Sequence, residues 1–323
     1  MSEMPCTVAR LTPDDEAIIR EAVSTYTFAE YRAYRMLGKG ISQEVVMRRL
    51  RRRLREAPPA GVYAARQGCR IAGIAGITPF PWGATCFGVS MAQIEDIIVS
   101  PAQSPEVYAE LISVLGNTCR THGVVHLSCK VDSECLPAIH ALEDYGYRLM
   151  GMSVTYLFNR QRHQLRQVKP YCRIRRFKPD DLGTIIKMAQ GQFTHSRFSR
   201  DGHFSSAQID CFYRTWIQNI CSSDERNVSY VAERGGTLVG FFLAQKDDEL
   251  SDMCGRALYN NGLSGVQTRG RGVYPALLIA TMHDSRLELA EFETQGDNRP
   301  VLAVWQRLGL DLMRCRQVFH CWL

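Results

Sequence analysis

Hydrophobic positions along the chain alternate between helix-like and strand-like spacing, in an order that occurs twice. The first half predicts two helices, a strand pair turning at Gly68, and then strand, helix, strand, helix and strand. The predicted helices are 17–33, 43–54, 106–121 and 135–145. The predicted strands are 62–65, 70–78, 90–99, 124–131 and 149–158.

The same order returns after the polar, basic segment 160–169, which lacks hydrophobic periodicity. Here the predicted helices are 180–192, 209–220, 274–289 and one led by Asn298. The predicted strands are 173–175, 228–232, 238–245, 257–266, one ending near Thr294, and 314–322. Two copies of one topology, about 150 residues each, predict domains at 1–160 and 171–323 with a linker at 161–170.

Composition narrows the function classes. No apolar run reaches the ~18 residues of a membrane span, and the charged start of the chain lacks the apolar core of a secretory signal. We therefore expect a cytoplasmic protein with no membrane span. The 12 cysteines are scattered without a Cys-x-x-Cys pair, which predicts reduced thiols and no metal site.

The net charge of +6 is modest, and the main basic cluster lies within 48–55. Its arginines surround a helical stripe of apolar residues, as on a solvated amphipathic helix. No aromatic stacking platform accompanies them, so we predict that the protein does not bind nucleic acid.

The most informative segment is 267–274, Gln-Thr-Arg-Gly-Arg-Gly-Val-Tyr, which follows a predicted strand and opens a predicted helix. Gly270 and Gly272 have no Cβ to block a phosphate, and backbone N–H groups converge there at the positive end of a helix dipole. Arg269 and Arg271 add positive charge. A two-glycine turn alone is a weak signal, because most such pairs only satisfy the backbone.

The segment is neither a Walker motif nor a dinucleotide fingerprint. Its spacing, Gln-x-x-Gly-x-Gly, instead resembles the acyl-coenzyme A loop of the GNAT acetyltransferases. Residues 295–310, an Asn-led helix ending in Leu-Gly-Leu, resemble the second landmark of that family. In the first half, 101–105 has prolines where the glycines should stand, and proline offers no N–H. The N-terminal domain is therefore predicted to be degenerate.

Further segments resemble tandem-domain bacterial enzymes of this family that acetylate the amino group of dTDP-4-amino-6-deoxy sugars. These segments are 81–82, 87–89, 196–198, 213–219, 269–272, and Gln295 with Asn298. The resemblance implies an α+β fold with two tandem domains, each a mixed, mostly antiparallel sheet flanked by helices. It also implies a splayed central strand pair in the C-terminal domain.

The resemblance also implies which residues form each half of the site. Acetyl-coenzyme A, or another short-chain acyl-coenzyme A, would contact Leu263, Ser264, Gly265, Val266, Gln267, Arg269, Gly270, Arg271, Gly272, Val273, Tyr274 and Asn298. The amine acceptor would lie near Ser196, Arg197, Phe198, Tyr213 and Trp216.

Two departures affect the chemistry. Trp305 stands where the family commonly has a tyrosine that protonates the departing thiolate, and an indole N–H is no substitute for a phenol as an acid. Gly151 stands where the sugar enzymes have a carboxylate. Thiolate release either needs little acid help, since a thiol pKa is about 8.5, or uses another residue. The catalytic candidates are Tyr274, Trp305 and His320, with Tyr259 as a further possibility.

The sequence therefore predicts an acyl-coenzyme A-dependent N-acyltransferase acting on a primary amine, with a nucleotide-linked amino sugar as one acceptor. The alternative is a catalytically altered or inactive protein of this fold that binds acyl-coenzyme A or a partner in a biosynthetic pathway. A weaker alternative is transfer to oxygen or carbon with His195 as base. Both a monomer and a homodimer are compatible with the sequence.

Overall fold

The computed structural model describes residues 6–25, 40–100, 105–165, 171–222 and 226–323. They divide into two compact units, the first within Met1–Met152 together with Arg314–Leu323 and the second Ser153–Met313. Each unit is a mixed sheet with flanking helices, which confirms the predicted α+β class. No helix in these described ranges is both long enough and apolar enough to cross a membrane.

The first unit is built around the sheet order β1-β2-β3-β4-β5-β12, in which only the β4–β5 pair among those with a described register is parallel. Its strands are β1 (Cys6–Arg10), β2 (Gly61–Gln67), β3 (Arg70–Pro79), β4 (Met91–Val99), β5 (His126–Asp132) and the C-terminal part of β12 (Asp311–Trp322). Its helices are α1 (Glu16–Thr25), α2 (Ile41–Arg53), α3 (Pro81–Phe87), α4 (Glu106–Thr121) and α5 (Leu136–Tyr145).

The second unit has the sheet order β6-β11-β10-β9-β8-β7. Its strands are β6 (Arg148–Asn159, from residue 153), β7 (Arg173–Arg176), β8 (Val228–Arg234), β9 (Thr237–Lys246), β10 (Leu258–Val266) and β11 (Leu289–Gln295). Its helices are α6 (Leu182–Ala189), α7 (Arg197–Arg200), α8 (Ser206–Cys221), α9 (Asp248–Cys254), α10 (Val273–His283) and α11 (Arg299–Arg307).

In each unit, one strand lies on the other side of the predicted linker in the sequence: β6 precedes the linker but belongs to the second unit, and β12 follows it but ends in the first unit. Residues Ser153 to Asn159 of β6 pair antiparallel with β11, from Gln295 to Leu289. The end of β12 pairs antiparallel with β5 in the first unit, from Arg316↔Asp132 to Trp322↔His126. Alternating hydrophobicity reveals that a strand exists, but it does not reveal which sheet the strand completes.

Some element boundaries differ from the prediction. The helix predicted for 274–289 ends at His283, because Asp284 turns the chain. The buried carboxylate of Asp284 accepts hydrogen bonds from Arg286 N–H (3.0 Å), Tyr230 Oη (3.0 Å) and Arg176 (2.8 Å). The apolar residues after Asp284 belong to the core and to β11. Their spacing continues the apolar spacing of the helix, so the helix was predicted too long.

Other elements were missed or fall outside the described residues. The predictions omitted β1, α3, α7 and α9, which are short. Residues 26–33 of the first predicted helix, 101–104 of the predicted proline segment and 166–170 of the predicted linker lie outside the described residues.

A buried ionic cluster lies where the central strands of the first unit stop pairing. The β4–β5 register runs from Met91↔His126 to Ile94↔Cys129, and Asp96 then has a φ of 55°. Arg53 of α2 is 2% exposed and donates to Asp96 (2.6 Å), to Thr78 Oγ1 (2.8 Å) and to Glu95. Burial raises the pKa of Asp96, but Arg49 and Arg53 outweigh that effect and lower it. An arginine with its carboxylates thus fills this part of the first unit.

Candidate active site

The central strands of the second unit separate almost at once. Strands β10 and β11 pair in parallel at Leu258↔Leu289 and Tyr259↔Ala290, and their described register contains no further pair. The other edge of β10 stays paired with β9 as far as Val266↔Gly240, past a register shift between Asn260 and Leu263. Backbone groups of 263–266 on the separated edge are therefore available to an extended ligand, as in strand addition.

The turn after β10 has the backbone geometry of an anion cradle. Gly270 and Gly272 have φ values of 76° and 71°, and a Cβ at either position would meet nothing within 4 Å. Ala276 N–H makes the first bond of α10, to Gly272 O at 3.2 Å, so the N–H groups before it point out of the helix end. Arg269 and Arg271 are both exposed beside this turn.

A glycine on β9 sets how closely α10 approaches the sheet. A Cβ at Gly240 would lie 2.8 Å from Val273 Cγ1 and 3.1 Å from Leu277 Cδ1. Because real Cβ atoms do not tolerate such distances, only glycine lets the first turn of α10 pack here. Gly240 therefore positions the cradle by letting Val273 pack closely against the sheet.

Two of the three catalytic candidates contact each other. Trp305 Nε1 donates a hydrogen bond of 2.8 Å to the phenol oxygen of Tyr274. Trp305 is 3% exposed and lies on α11, while Tyr274 is partly buried in the first turn of α10. Since the indole N–H occupies one lone pair of the phenol, the O–H hydrogen of Tyr274 must point elsewhere.

Aromatic rings surround this pair. The ring centroid of Trp305 lies 5.3 Å from that of Tyr156 and 6.1 Å from that of Phe292, and Phe242 lies 6.3 Å from Tyr274. Burial raises the pKa of Tyr274 well above its usual range, despite the opposing hydrogen bond from Trp305. The phenol therefore stays protonated throughout the physiological pH range.

Of the other acid candidates, Tyr259 lies at the far end of α10 and His320 belongs to the first unit. Burial raises the pKa of Tyr259, which interacts with Arg286 and Asp284 beyond the C-terminal end of α10. An 11-residue helix, about 16 Å long, separates that end from the cradle. His320 belongs to the first unit, opposite Ser128 on β5, and its ring lies 4.6 Å from that of His126.

Asn298 caps the helix that carries Trp305. Its carbonyl oxygen accepts from the N–H groups of Val301 and Leu302 (both 3.1 Å), and its Nδ2 donates to Thr294 Oγ1 (2.9 Å). The side chain is thereby held against the end of β11. The neighbouring Asp297 forms an ion pair with Arg200 at 2.5 Å, which also lowers its pKa.

The predicted acceptor residues gather around α7 and α8. Ser196 caps α7 by accepting from Ser199 N–H (3.1 Å). Burial raises the pKa of Tyr213, while a hydrogen bond with Ser196 and the charge of Arg197 oppose that rise. The ring of Trp216 is parallel to that of Tyr213 within 14°, with centroids 6.0 Å apart.

Phe198 has a different role from the other four. It is 3% exposed and packs 4.8 Å from Phe212, so it anchors α7 in the core. The guanidinium of Arg197 lies over its ring at 4.7 Å. Because Arg200 of the same helix binds Asp297, α7 is also tied to the start of α11.

Sequence reasoning missed several residues of this region. Tyr156 lies before the predicted linker, so nothing local assigned it to the second unit. Tyr171 stacks under Arg234 (3.9 Å) and faces Arg271 (5.7 Å), beside the cradle. An isolated tyrosine after a polar segment gave no signal for that contact.

Comparisons with known proteins agree on the fold. No family profile matches the chain, and no curated protein matches it in sequence. Among solved structures, a GCN5-related N-acetyltransferase from Sphaerobacter thermophilus is 14% identical with a TM-score of 0.65, over 99% of this chain and 96% of that one. A tandem GNAT protein from the clavulanic acid biosynthesis pathway is 15% identical with a TM-score of 0.54, over 98% of each chain.

An acetyltransferase of the GNAT family from Colwellia psychrerythraea is 12% identical with a TM-score of 0.50, over 99% of this chain and all of that one. These matches span both units of the chain. The protein therefore has the tandem form of the GNAT fold, as the sequence predicted.

Proposed function

We propose that the second unit binds an acyl-coenzyme A, with acetyl-coenzyme A as the first candidate, and transfers the acyl group to a primary amine. The observation that carries this proposal is the cradle at 267–274 beside the separated edge of β10. The two features lie on one continuous segment, in a chain with the GNAT fold.

The residues present fit such a donor. Its diphosphate would lie on the N–H groups at 270–274, with Arg269 and Arg271 adding charge, where a Cβ is absent and space is open. The pantetheine arm would pair with backbone groups of 263–266, and Asn298 would border it from α11. The bound donor supplies a thioester that an amine can attack.

Tyr274 is the hydrogen-bond donor that this chain offers to the departing sulfur. A tyrosine is absent from α11, but Trp305 at that position holds the phenol of Tyr274 by its oxygen. The phenol remains protonated because burial raises its pKa. We propose that Tyr274 donates to the leaving thiolate and that Trp305 orients it, so one function is shared between two helices.

The acceptor would approach from the side of α7 and α8. Tyr213 and Trp216 offer aromatic surface, and the guanidinium of Arg197 lies over the neighbouring ring of Phe198 and lowers the pKa of Tyr213 by its charge. Aromatic surface with an arginine suits a base or sugar that carries phosphate. These contacts support a nucleotide-linked amino sugar as one candidate acceptor.

Isothermal titration with acetyl-coenzyme A tests the proposal. In Gly270→Glu the new carboxylate opposes the diphosphate, and we expect affinity to fall by at least about 100-fold, two charge-assisted hydrogen bonds being worth ~3 kcal/mol. Gly255→Glu is the matched control, because Gly255 also has a positive φ (62°) and open space but caps α9. Equal affinities in the two variants, or no binding by the wild type, would refute the proposal.

The non-catalytic alternative gives a different result. If acetyl-coenzyme A binds but no amine in a broad panel releases thiol above background, the protein keeps the donor site without the transferase activity. Thiol release with any primary amine excludes it.

A further inference from the structure

Two arginines from different loops meet over one tyrosine beside the cradle. Arg234, at the end of β8, lies 3.9 Å from the ring centroid of Tyr171, and Arg271 of the cradle lies 5.7 Å from it. All three side chains are exposed, Tyr171 by 37%. We call these three residues the Tyr171 cluster.

The positive charge of this cluster is not balanced by the carboxylates around it. Since both guanidiniums lie over one ring, they are no more than about 10 Å apart, roughly the Debye length at 0.1 M salt, and they repel each other. Glu233, next to Arg234 in the sequence, already accepts from Arg175 Nε at 2.8 Å. Within the described part of the chain, neither Arg234 nor Arg271 forms an ion pair. Converging cations of this kind favour an anionic ligand.

Tyr171 holds Arg234 in a way that leaves it able to bind such a ligand. A cation–π contact attracts the charge of the guanidinium to the ring and needs no hydrogen-bond acceptor, so the N–H donors stay available. Arginine presents these donors as a planar fork, which matches two oxygens of a phosphate. The contact therefore positions a phosphate-binding group at the edge of the cradle.

The position of the cluster fits a second phosphate of the proposed donor. The N–H groups at 270–274 with Arg269 and Arg271 suffice for the diphosphate, whereas Arg234 comes from the hairpin of β8 and β9. In coenzyme A the diphosphate is followed by a ribose that carries a separate phosphate on its 3′ carbon. A basic group one aromatic ring away from the cradle suits that phosphate.

We propose that Arg234 binds the 3′-phosphate of the donor and makes the second unit selective for coenzyme A over pantetheine carriers that lack this phosphate. This inference rests on the proposed function and names the donor specificity of the same site. Arg234 is the binding residue, and Tyr171 is a positioning residue that acts through Arg234.

Coenzyme A and 3′-dephospho-coenzyme A test the proposal, because they differ by this one phosphate. Isothermal titration of the wild type in 50 mM salt should show about tenfold weaker binding of the dephospho form. That is the low end for a hydrogen bond to a charged group, since Arg234 is exposed. The ratio of the two dissociation constants should fall in 0.5 M salt, because exposed charges are screened.

Variants of the cluster assign the selectivity to its residues. In Arg234→Gln the ratio should fall to within twofold of one, mainly through weaker binding of coenzyme A. Tyr171→Ala should lower the ratio as well, whereas Tyr171→Phe keeps the ring and should keep the ratio. Arg173→Gln is the matched control, because it removes an exposed arginine of the neighbouring β7 and should leave the ratio unchanged.

The outcomes separate this inference from the proposed function. If the wild type binds neither ligand, the proposed function itself fails. If it binds both with affinities within twofold, the inference is overturned and the donor site stands without this selectivity. A preference for coenzyme A that survives in Arg234→Gln, or that falls equally in Arg173→Gln, also overturns the assignment to Arg234.

Discussion

Replacing Tyr274 by phenylalanine should slow acyl transfer without weakening donor binding. The change removes the hydroxyl that Trp305 Nε1 contacts at 2.8 Å and leaves the aromatic ring in place. A hydrogen bond to a charged group contributes about 1.5–3 kcal/mol. At ~1.4 kcal/mol per tenfold, loss of such a bond to the thiolate lowers kcat by about 10- to 150-fold.

The same change also has a cost in stability. Trp305 is 3% exposed, so its indole N–H would lose its partner in a buried place. An unsatisfied buried donor costs about 1–3 kcal/mol, so the free energy of unfolding should fall by that amount. Trp305→Phe removes the indole donor instead. If Trp305 acts only through Tyr274, the double variant Tyr274→Phe/Trp305→Phe should be no slower than Tyr274→Phe alone.

The assay is thiol release under saturating acetyl-coenzyme A, with donor affinity measured separately by titration. Tyr259→Phe is the matched control, because Tyr259 is also a buried phenol of the second unit but interacts with Arg286. Since burial raises the pKa of Tyr274, wild-type kcat should not fall between pH 8 and pH 10 through loss of this proton. A kcat for Tyr274→Phe within twofold of the wild type would refute the assignment.

Two further predictions test the supports of the site. Gly240→Ala places a Cβ 2.8 Å from Val273 Cγ1, so it should lower the free energy of unfolding by about 1–3 kcal/mol and weaken acetyl-coenzyme A binding. The control Gly183→Ala in α6, where the space is open, should have neither effect. Equal behaviour of the two variants in urea melts and titrations would contradict this prediction. Burial alone would raise the pKa of Asp284, but the hydrogen bonds from Arg286 outweigh burial and lower it. The ionised carboxylate therefore stabilises the fold at pH values above its pKa in the unfolded chain, ~3.9. That stabilisation is lost as the pH falls through the lower pKa of the folded protein. Asp284→Asn should therefore cost about 3 kcal/mol at pH 7 and much less at pH 2.5, and a difference that is constant across urea melts at the two pH values would be contrary to the prediction.

The sequence predicted the repeated topology because each element carries its own periodicity. Helix α4 and the hairpin of β8 and β9 were found close to their true bounds. Strand partners could not be found in this way, because the side-chain patterns of β6 and β12 indicate strands but do not specify which strands they pair with. Helix α10 was predicted too long, since the apolar spacing continues beyond Asp284 and only a tertiary contact ends the helix.

The candidate site divides along similar lines. The cradle could be predicted because it depends on local glycines and a strand-to-helix junction, and the loop at 267–272 has that geometry. The pairing of Tyr274 with Trp305 could not, since these residues are 31 positions apart and meet only when α10 and α11 pack on the second sheet, beside Phe242 and Phe292.

The measurement that bears most directly on the central claim is a crystal structure of the protein with acetyl-coenzyme A. We predict density for the diphosphate against the N–H groups of residues 270–274, with the pantetheine arm along 263–266 between β10 and β11. Density for the coenzyme in the first unit, or an empty second unit at saturating concentration, would contradict the account.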